Sequence, residues 1–336
     1  MSKSNLRMLL YKLLAQSRGR KTFSNRGFTL IELLISLVIA GIVVSGLLFV
    51  VVELLRVDQR EVALDQVQSD MQRAMDYIAD DLQEAIYVYE DPTTITTKLN
   101  TLNDEVLAGS VPVIAFWRTN EIDVLNDTAL PADCTSEGAN EDTCVGIKLR
   151  RASYTLVAYY QKPRDPALAW EGESAIKRYE LAQYDDLNAA GAAKYNLTAG
   201  YTLPLSDGGT GDVNDFVNWT AATAADGGTT NVLADYVNYV APADRNGALP
   251  VVSCQVYTGD AAHVLVPADA TEETGFFACI RPAVETGGFR TNQDVFVFLR
   301  GDATAASRFL QPASEGSRLP LLQTQIRLNG QIDKQG

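Results

Sequence analysis

The sequence predicts an α+β protein in which one long N-terminal helix packs on an antiparallel β-sheet domain. Three observations lead to this fold class. The apolar run 28–52 contains a single charged residue, Glu32. Apolar residues then recur every three or four positions as far as Ala85. From residue 93 onward, short β-rich runs alternate with turn residues, which is typical of a sheet.

The amino-acid composition excludes several classes of protein. The chain has 336 residues, of which 46% are hydrophobic, and this excludes a disordered chain. Its four cysteines are too few for a small domain held together mainly by disulfides. The formal net charge of −14 argues against a broad phosphate-binding surface, which would need a basic face. We therefore expect no direct binding of nucleic acid.

The N-terminal segment combines a basic leader with an apolar helix. Residues 1–27 contain seven basic residues and no acidic one. At about 1.5 Å per residue, the run 28–52 is long enough to cross a hydrocarbon core of about 30 Å. The positive-inside rule then predicts one membrane crossing, with the leader in the cytoplasm and everything after Val52 exported.

Two simpler interpretations leave this segment unexplained. A secretory signal peptide has an apolar region of about 7–15 residues and a small-residue cleavage site, and neither feature is found here. A plain signal anchor explains the length but gives no reason for Glu32. A carboxylate at the centre of a membrane costs about 2.5–3.5 kcal/mol on insertion scales. Glu32 therefore needs a partner.

Residues 26–34, RGFTLIELL, resemble the prepilin motif of the type IV pilin and type II secretion pseudopilin superfamily. The resemblance implies cleavage between Gly27 and Phe28 by a prepilin peptidase and N-methylation of Phe28. Glycine suits the scissile position because it lets a protease approach the backbone closely. The resemblance also implies that Glu32 acts in assembly by meeting the N-terminal amine of a neighbouring subunit, so that two buried charges offset one another.

The same resemblance implies a bacterial structural subunit and not an enzyme. Its expected partners are other pilins or pseudopilins, the prepilin peptidase and N-methyltransferase, and the inner-membrane assembly platform. Its expected location is the inner membrane as a single-pass precursor, and then a periplasmic or cell-surface filament. Residues 68–86 resemble the helix of the large minor pilins of the PilW group and the J-type pseudopilins. Such large minor subunits are thought to lie at a filament tip.

Residues 53–90 are predicted to form an amphipathic helix that continues the apolar one. Asp91-Pro92 is expected to end it, because the residue before a proline avoids the α region. A coiled-coil seam is the alternative use of the apolar stripe. Acidic residues, among them Asp80 and Asp81, fill the other faces. The stripe consists of Val57, Leu64, Val67, Met71, Ala74, Ile78, Leu82 and Ala85.

Residues 91–336 are predicted to form the exported β-rich domain. A turn-rich stretch between Gln161 and Ala175 predicts a hairpin. Residues 186–250 are interpreted as an insertion or a chain of surface loops, ordered in part because it carries aromatic residues. A pilin-anchored adhesin that uses this insertion as its contact surface is the alternative function. The predicted strands are 111–117, 145–150, 154–161, 175–181 and 294–299.

No cofactor is expected, although the insertion contains one candidate calcium loop. Residues 206–215 combine glycines with the possible ligands Asp207, Asp212 and Asp215. Their spacing matches no EF-hand loop, so an acidic solvated turn is favoured over calcium.

Four cysteines follow the apolar run: Cys134, Cys144, Cys254 and Cys279. An exported compartment permits two disulfides, and three pairings are open from the sequence. We favour Cys134 with Cys144 and Cys254 with Cys279, since each pair closes a short loop. A zinc site is not expected, because there is no C-x-x-C pair and His263 is the only histidine. His263 is interpreted as a loop residue.

Overall fold

The computed structural model describes most of the chain after the leader. Residues 1–26 and 205–215 are outside the described part, so the basic leader and the candidate calcium ligands Asp207, Asp212 and Asp215 are outside it too. The chain divides into two compact units, Met1–Arg56 and Val57–Gly336. The described residues are 27–91, 94, 97, 109–124, 129–165, 170–204, 216–222, 227–245, 250–283, 285–286, 289–290, 293–304, 306 and 319–328.

One continuous helix, α1, spans Leu30–Gln83. In the first unit every described residue of this helix is exposed, and nearly all are apolar. By length and composition, α1 is the one helix in the described ranges that could cross a membrane. The predicted apolar helix is thus present, and its surface is free to contact lipid or other subunits.

In the second unit, α1 buries an apolar stripe in the core of the domain. The buried residues recur at three- and four-residue intervals, as an amphipathic helix requires. The stripe packs between residues of two β-sheets, so the domain itself covers it and a coiled-coil partner is not needed. Its members are Ala63, Val67, Met71, Ala74, Met75, Ile78 and Leu82.

The helix ends at Gln83, so the predicted end near residue 90 is wrong. Ala85–Val88 instead form strand β1, which pairs antiparallel with Phe116–Arg118. The segment from Ile86 to Tyr89 is rich in the aromatic and β-branched residues that favour strands. Pairing with a neighbouring strand therefore overrides the helical periodicity that continues to Ala85.

The first sheet is antiparallel and has the order β1-β2-β3-β4-β5. The turn-rich stretch joins β3 to β4, so the predicted hairpin is confirmed. Strand β5 lies within the segment that was interpreted as an insertion, and it forms one edge of this sheet. The strands after β1 are β2 Val111–Glu121, β3 Ala152–Pro163, β4 Ser174–Ala182 and β5 Thr229–Ala234.

The predicted strand 145–150 is wrong, because Glu141–Arg150 form helix α2. Its first turn is acidic and its last turn is basic, an arrangement that the helix dipole favours. The residues that α2 buries, Cys144 and Ile147, are three positions apart, as on one face of a helix. The short alternating run was therefore compatible with either structure, and burial of Cys144 and Ile147 selects the helix.

The second sheet has the order β11-β10-β7-β6 and is also antiparallel. It shares one apolar core with α1 and the inner face of the first sheet. The short helices α3, Pro242–Arg245, and α4, Cys254–Thr258, precede it in the chain. Its strands are β6 Val264–Val266, β7 Phe276–Ile280, β10 Asp294–Leu299 and β11 Leu322–Arg327, and the two-residue strands β8 Glu285–Thr286 and β9 Phe289–Arg290 pair separately.

An aromatic cluster covers the outer face of the first sheet. Trp117 of β2 is fully buried and contacts three aromatic rings from residues 186–250, with ring centroids 5.3–6.0 Å away. These rings, Tyr201, Phe216 and Trp219, are themselves buried. The segment therefore does more than loop over the surface, because it supplies part of a second core and one strand.

Close packing between the two sheets requires a glycine at position 275. A Cβ atom placed there would lie 1.9 Å from the carbonyl oxygen of Asn238. We predict that Gly275→Ala lowers the free energy of unfolding by about 3 kcal/mol, because relief of this overlap must move backbone. Gly146→Ala is the control, since it meets only the flexible Arg150 side chain at 3.2 Å and improves helix propensity. Denaturant unfolding should show loss in the first variant and none in the second.

Candidate functional site

The predicted cleavage site lies immediately before α1. Gly27, Phe28 and Thr29 are not helical, and the helix begins at Leu30. The Thr29 hydroxyl accepts a hydrogen bond from the backbone N–H of Glu32 at 3.3 Å, which is the geometry of a helix N-cap. An added Cβ at Gly27 would meet nothing within 4 Å. The peptide bond after Gly27 is thus open to a protease and not held in a helix.

Glu32 lies in the first turn of α1 and has no cation nearby along the mature chain. An acidic residue at this end of a helix is favoured by the helix dipole. The next basic residue is Arg56, which is about 36 Å further along a helix at 1.5 Å per residue. After cleavage at Gly27, the new amine of Phe28 would be the only cation of the same chain within reach. Glu32 therefore has the surroundings expected of a group that pairs outside its own fold.

A second carboxylate, Asp81, joins the end of α1 to the first sheet. Its side chain is 6% exposed. Asp81 accepts hydrogen bonds from Arg118 of β2 at 2.8 Å, from the hydroxyl of Tyr159 of β3 at 2.5 Å and from Arg178 Nε of β4 at 2.7 Å. Three neighbouring strands thus contact one carboxylate of the helix.

Two further carboxylates complete this network. Glu84 lies 2.9 Å from Arg118, and Glu180 pairs with both Arg118 and Arg178. Burial acts to lower the pKa of Arg178, but the hydrogen bonds and charges of Asp81 and Glu180 outweigh it and hold the pKa above its usual value. Burial, together with the charge and hydrogen bond of Asp81, raises the pKa of Tyr159 well above its usual range. Arg178 therefore stays charged, and Tyr159 stays a donor.

The sequence did not single out Asp81. It was placed among the acidic residues of the outer helix face, and the structure corrects this. Asp80 is exposed as expected, but Asp81 is one of the buried residues of α1. The available signal was positional, since Asp81 lies three residues after Ile78, on the face that carries the apolar stripe.

The structure contains both of the favoured disulfides. Cys134 bonds to Cys144 and ties a 3₁₀ segment, Cys134–Asn140, to α2. Cys254 bonds to Cys279 and ties α4 to β7. These four residues are all buried, and among the described residues no free cysteine remains. Each disulfide therefore ties a short helical segment to a neighbouring element of the domain.

The structure gives no support to a metal site within the ranges it describes. No group of three or more His, Cys, Asp or Glu side chains there could hold a metal ion. His263 lies in the turn before β6, as interpreted, although its side chain is buried.

Comparison with known proteins identifies the N-terminal segment. A family model described as the prokaryotic N-terminal methylation motif matches residues 22–48. The matched range covers the basic end of the leader, the Gly27–Phe28 bond, Glu32 and the apolar start of α1. No curated protein and no solved structure shows significant similarity to the chain.

This match supports placement of the chain in the type IV pilin and pseudopilin superfamily. The motif indicates a pilin-like or pseudopilin precursor that is processed by prepilin peptidase and assembles with other pilins. It points to a structural subunit and not to an enzyme. The apolar part of α1 fits a membrane-anchored precursor, and the motif fits a filament.

We predict that Asp81→Asn lowers the free energy of unfolding of the domain by about 3 kcal/mol or more, because an amide cannot replace the buried carboxylate that accepts hydrogen bonds from Arg118, Tyr159 and Arg178. Asp80→Asn removes the same charge one residue away at an exposed position and should change it by less than about 0.5 kcal/mol. Equal effects of the two substitutions in denaturant unfolding would contradict the role given to Asp81.

Loss of the Cys254–Cys279 disulfide should destabilise the second sheet. The bond closes a loop with a sequence separation of 25 residues. We expect the double variant Cys254→Ser/Cys279→Ser to lose about 3 kcal/mol, mainly because the unfolded chain gains freedom. Non-reducing peptide mapping checks the connectivity. The recovery of a peptide that links Cys134 to Cys254 would overturn the assigned pairs.

Proposed function

We propose that this chain is a minor pilin or pseudopilin, a structural subunit of a type IV pilus or a type II secretion-like filament. It is inserted as a single-pass precursor with a cytoplasmic leader, cleaved between Gly27 and Phe28, and assembled through α1. One observation carries the proposal. Glu32 lies in the first turn of an exposed apolar helix, and the next basic residue along the chain is Arg56.

Cleavage creates the missing charge. After cleavage, each subunit carries a new ammonium group at Phe28. An adjacent subunit shifted along the helix axis can present this group to Glu32. In an apolar filament core, each charge alone would be costly, whereas the pair is compensated. Leader removal and assembly are thereby linked through one electrostatic interaction. The inner-membrane assembly platform and the peptidase are the partners that this route requires.

Within the superfamily, we assign the chain to the large minor subunits of the PilW group or the J-type pseudopilins, placed at a filament tip. The size of the folded unit supports this. Two sheets, an aromatic second core and two disulfide-bonded segments accompany the C-terminal half of α1. A subunit at the tip needs no repeated contacts around a helical lattice, so bulk of this kind is tolerated there.

The alternative function, a pilin-anchored adhesin, would use residues 186–250 as its contact surface. Tyr201, Phe216 and Trp219 are three of the aromatic residues in this segment, and the structure buries them against Trp117. Their burial favours a role in folding. The filament-subunit proposal is therefore preferred to adhesion.

Substitutions at the N-terminus separate processing from assembly. Gly27→Leu should leave the precursor uncleaved, because a bulky side chain blocks the approach of a protease to the backbone. Glu32→Leu should be cleaved normally and remain in the membrane, yet its incorporation into filaments should fall at least tenfold. Mass spectrometry of the N-terminus measures the first effect, and immunoblotting of sheared filaments measures the second.

Glu53→Leu is the matched control for Glu32→Leu. It removes the same charge from the same helix at an exposed position that pairs with Arg56. Incorporation of this variant should stay within twofold of the wild type. Normal incorporation of Glu32→Leu, or an extracellular form that still begins at Met1, would refute the proposed route.

Tip placement makes a separate prediction. Immunogold labelling of an epitope on the folded domain should mark filament ends, because a bulky subunit that cannot repeat along the lattice is confined there. Labelling along the whole shaft would reject the tip assignment and leave the assembly route intact.

A further inference from the structure

His263, the only histidine of the chain, is a buried titratable group that the proposed function does not use. Its side chain is 3% exposed. Both ring nitrogens are buried and make no hydrogen bond in the described part of the protein. Buried polar atoms are nearly always satisfied, so an imidazole with two unsatisfied nitrogens calls for a physical reason.

Each ring nitrogen of His263 faces a carboxylate. Nδ1 lies 3.9 Å from Asp260 Oδ2, and Nε2 lies 3.4 Å from Asp294 Oδ1. Asp294 Oδ1 is itself buried without a hydrogen bond. The ring packs edge-on against Phe296, with centroids 5.4 Å apart. The imidazole is thus held between two acceptors by an apolar contact.

The charges around the ring do not balance while it is neutral. The guanidinium group of Arg281 reaches both carboxylates, at 3.7 Å from Asp260 and 4.0 Å from Asp294. Arg327 lies opposite Asp294 in the β10–β11 pairing, and its residue is exposed. Among the described residues, Arg281 is the one permanent cation within 4.0 Å of these two carboxylates.

Only the protonated ring satisfies this geometry. A neutral imidazole has one N–H donor and one lone pair, so one of its nitrogens must direct a lone pair at a carboxylate oxygen. An imidazolium has an N–H on both nitrogens and can donate to Asp260 and Asp294 together. It also brings the charge of the cluster to zero.

We propose that His263 takes up a proton in the folded protein and, as imidazolium, joins Asp260 to Asp294 as a pH-dependent latch on the second sheet. The latch connects the turn before β6, the residue after β7 and the first residue of β10. It also reaches β11, because Gln325 donates to the other oxygen of Asp294 at 3.2 Å. All strands of the second sheet therefore meet at this cluster.

The latch also lies at the junction of the two sheets. Gln293, next to Asp294, accepts a hydrogen bond from the backbone N–H of Val88 at 3.0 Å and donates to its carbonyl at 2.8 Å. It thereby binds β1, an edge strand of the first sheet. A cluster that fixes the start of β10 consequently helps to fix the contact between the sheets.

The expected direction of the effect follows from the proton count. Acidification through the range in which imidazoles titrate, pH 8 to 5.5, should strengthen the latch. This inference concerns the folded domain and does not depend on the proposed function, so either can fail alone.

A single histidine permits a direct test on the unaltered protein. We would label the full chain with 15N-histidine, purify it in detergent and record the ring signals between pH 5.5 and 8. Two N–H groups on the one ring at the acidic end, lost as the pH rises, are expected. A ring that stays neutral over the whole range, including one bridged to the carboxylates by water, would overturn the proposal.

Thermal unfolding supplies the second test. Because the chain is acidic, acidification will raise the melting temperature generally, and the difference between variants is therefore the informative quantity. The rise from pH 8 to 5.5 should be about 3 °C larger in the wild type than in His263→Gln. Asp294→Asn removes one acceptor. Its rise in melting temperature should exceed that of His263→Gln by only about half as much as the wild-type rise does.

Glu272→Gln is the control, since it removes an exposed carboxylate from the same region and should keep the full wild-type rise. Equal rises in the wild type and in His263→Gln would refute the latch. If His263→Gln does not fold, the comparison of Asp294→Asn with Glu272→Gln and the ring signals of the wild type still decide the question.

Discussion

A carboxylate that leaves water must pair with a cation or accept hydrogen bonds from several donors. Helix α1 carries two such carboxylates, Asp81 and Glu32, and their partners come from different places. Asp81 is buried by the fold and finds Arg118, Arg178 and Tyr159 within its own domain. Glu32 lies in an apolar stretch without a basic residue before Arg56. Folding therefore satisfies one charge, and the proposed assembly route would supply the partner of the other.

This difference divides the helix into two functional parts. The C-terminal part belongs to the domain, because its apolar stripe fills the core between two sheets and its last turn is fixed by the Asp81 network. The N-terminal part has exposed apolar side chains along its whole length. Helix α1 runs without a break from Leu30 to Gln83, so one helix contributes to both parts. A pilin-like subunit needs that combination, since the same helix must anchor the precursor, pack in a filament and hold the domain.

Several local contacts further stabilise the domain. One disulfide ties a 3₁₀ segment to α2 and the other ties α4 to β7, and the aromatic side chains of residues 186–250 give the first sheet a second core. The cluster around His263 lies where the second sheet meets the first. Polar and covalent contacts thus fix the positions of neighbouring elements, which apolar packing alone would leave adjustable.

Features that depend on short-range pattern could be predicted from the amino-acid sequence. The run 28–52, the motif around Gly27 and Glu32, the amphipathic stripe of α1 and the hairpin after Gln161 each follow from spacing along the chain. The favoured cysteine pairs also close short loops, so proximity along the chain was informative.

Features that depend on residues distant along the chain could be seen only in the folded protein. Ala85–Val88 became a strand because β2 offered it hydrogen bonds, and 145–150 became a helix because Cys144 and Ile147 are buried on one face. The roles of Asp81 and His263 were equally hidden in the sequence. The side chains that bind Asp81 are 37 or more residues away along the chain, and Asp294 is 31 residues from His263. A single charged or titratable residue looks solvent-facing in a sequence, and its energy is set by the groups that the fold brings to it.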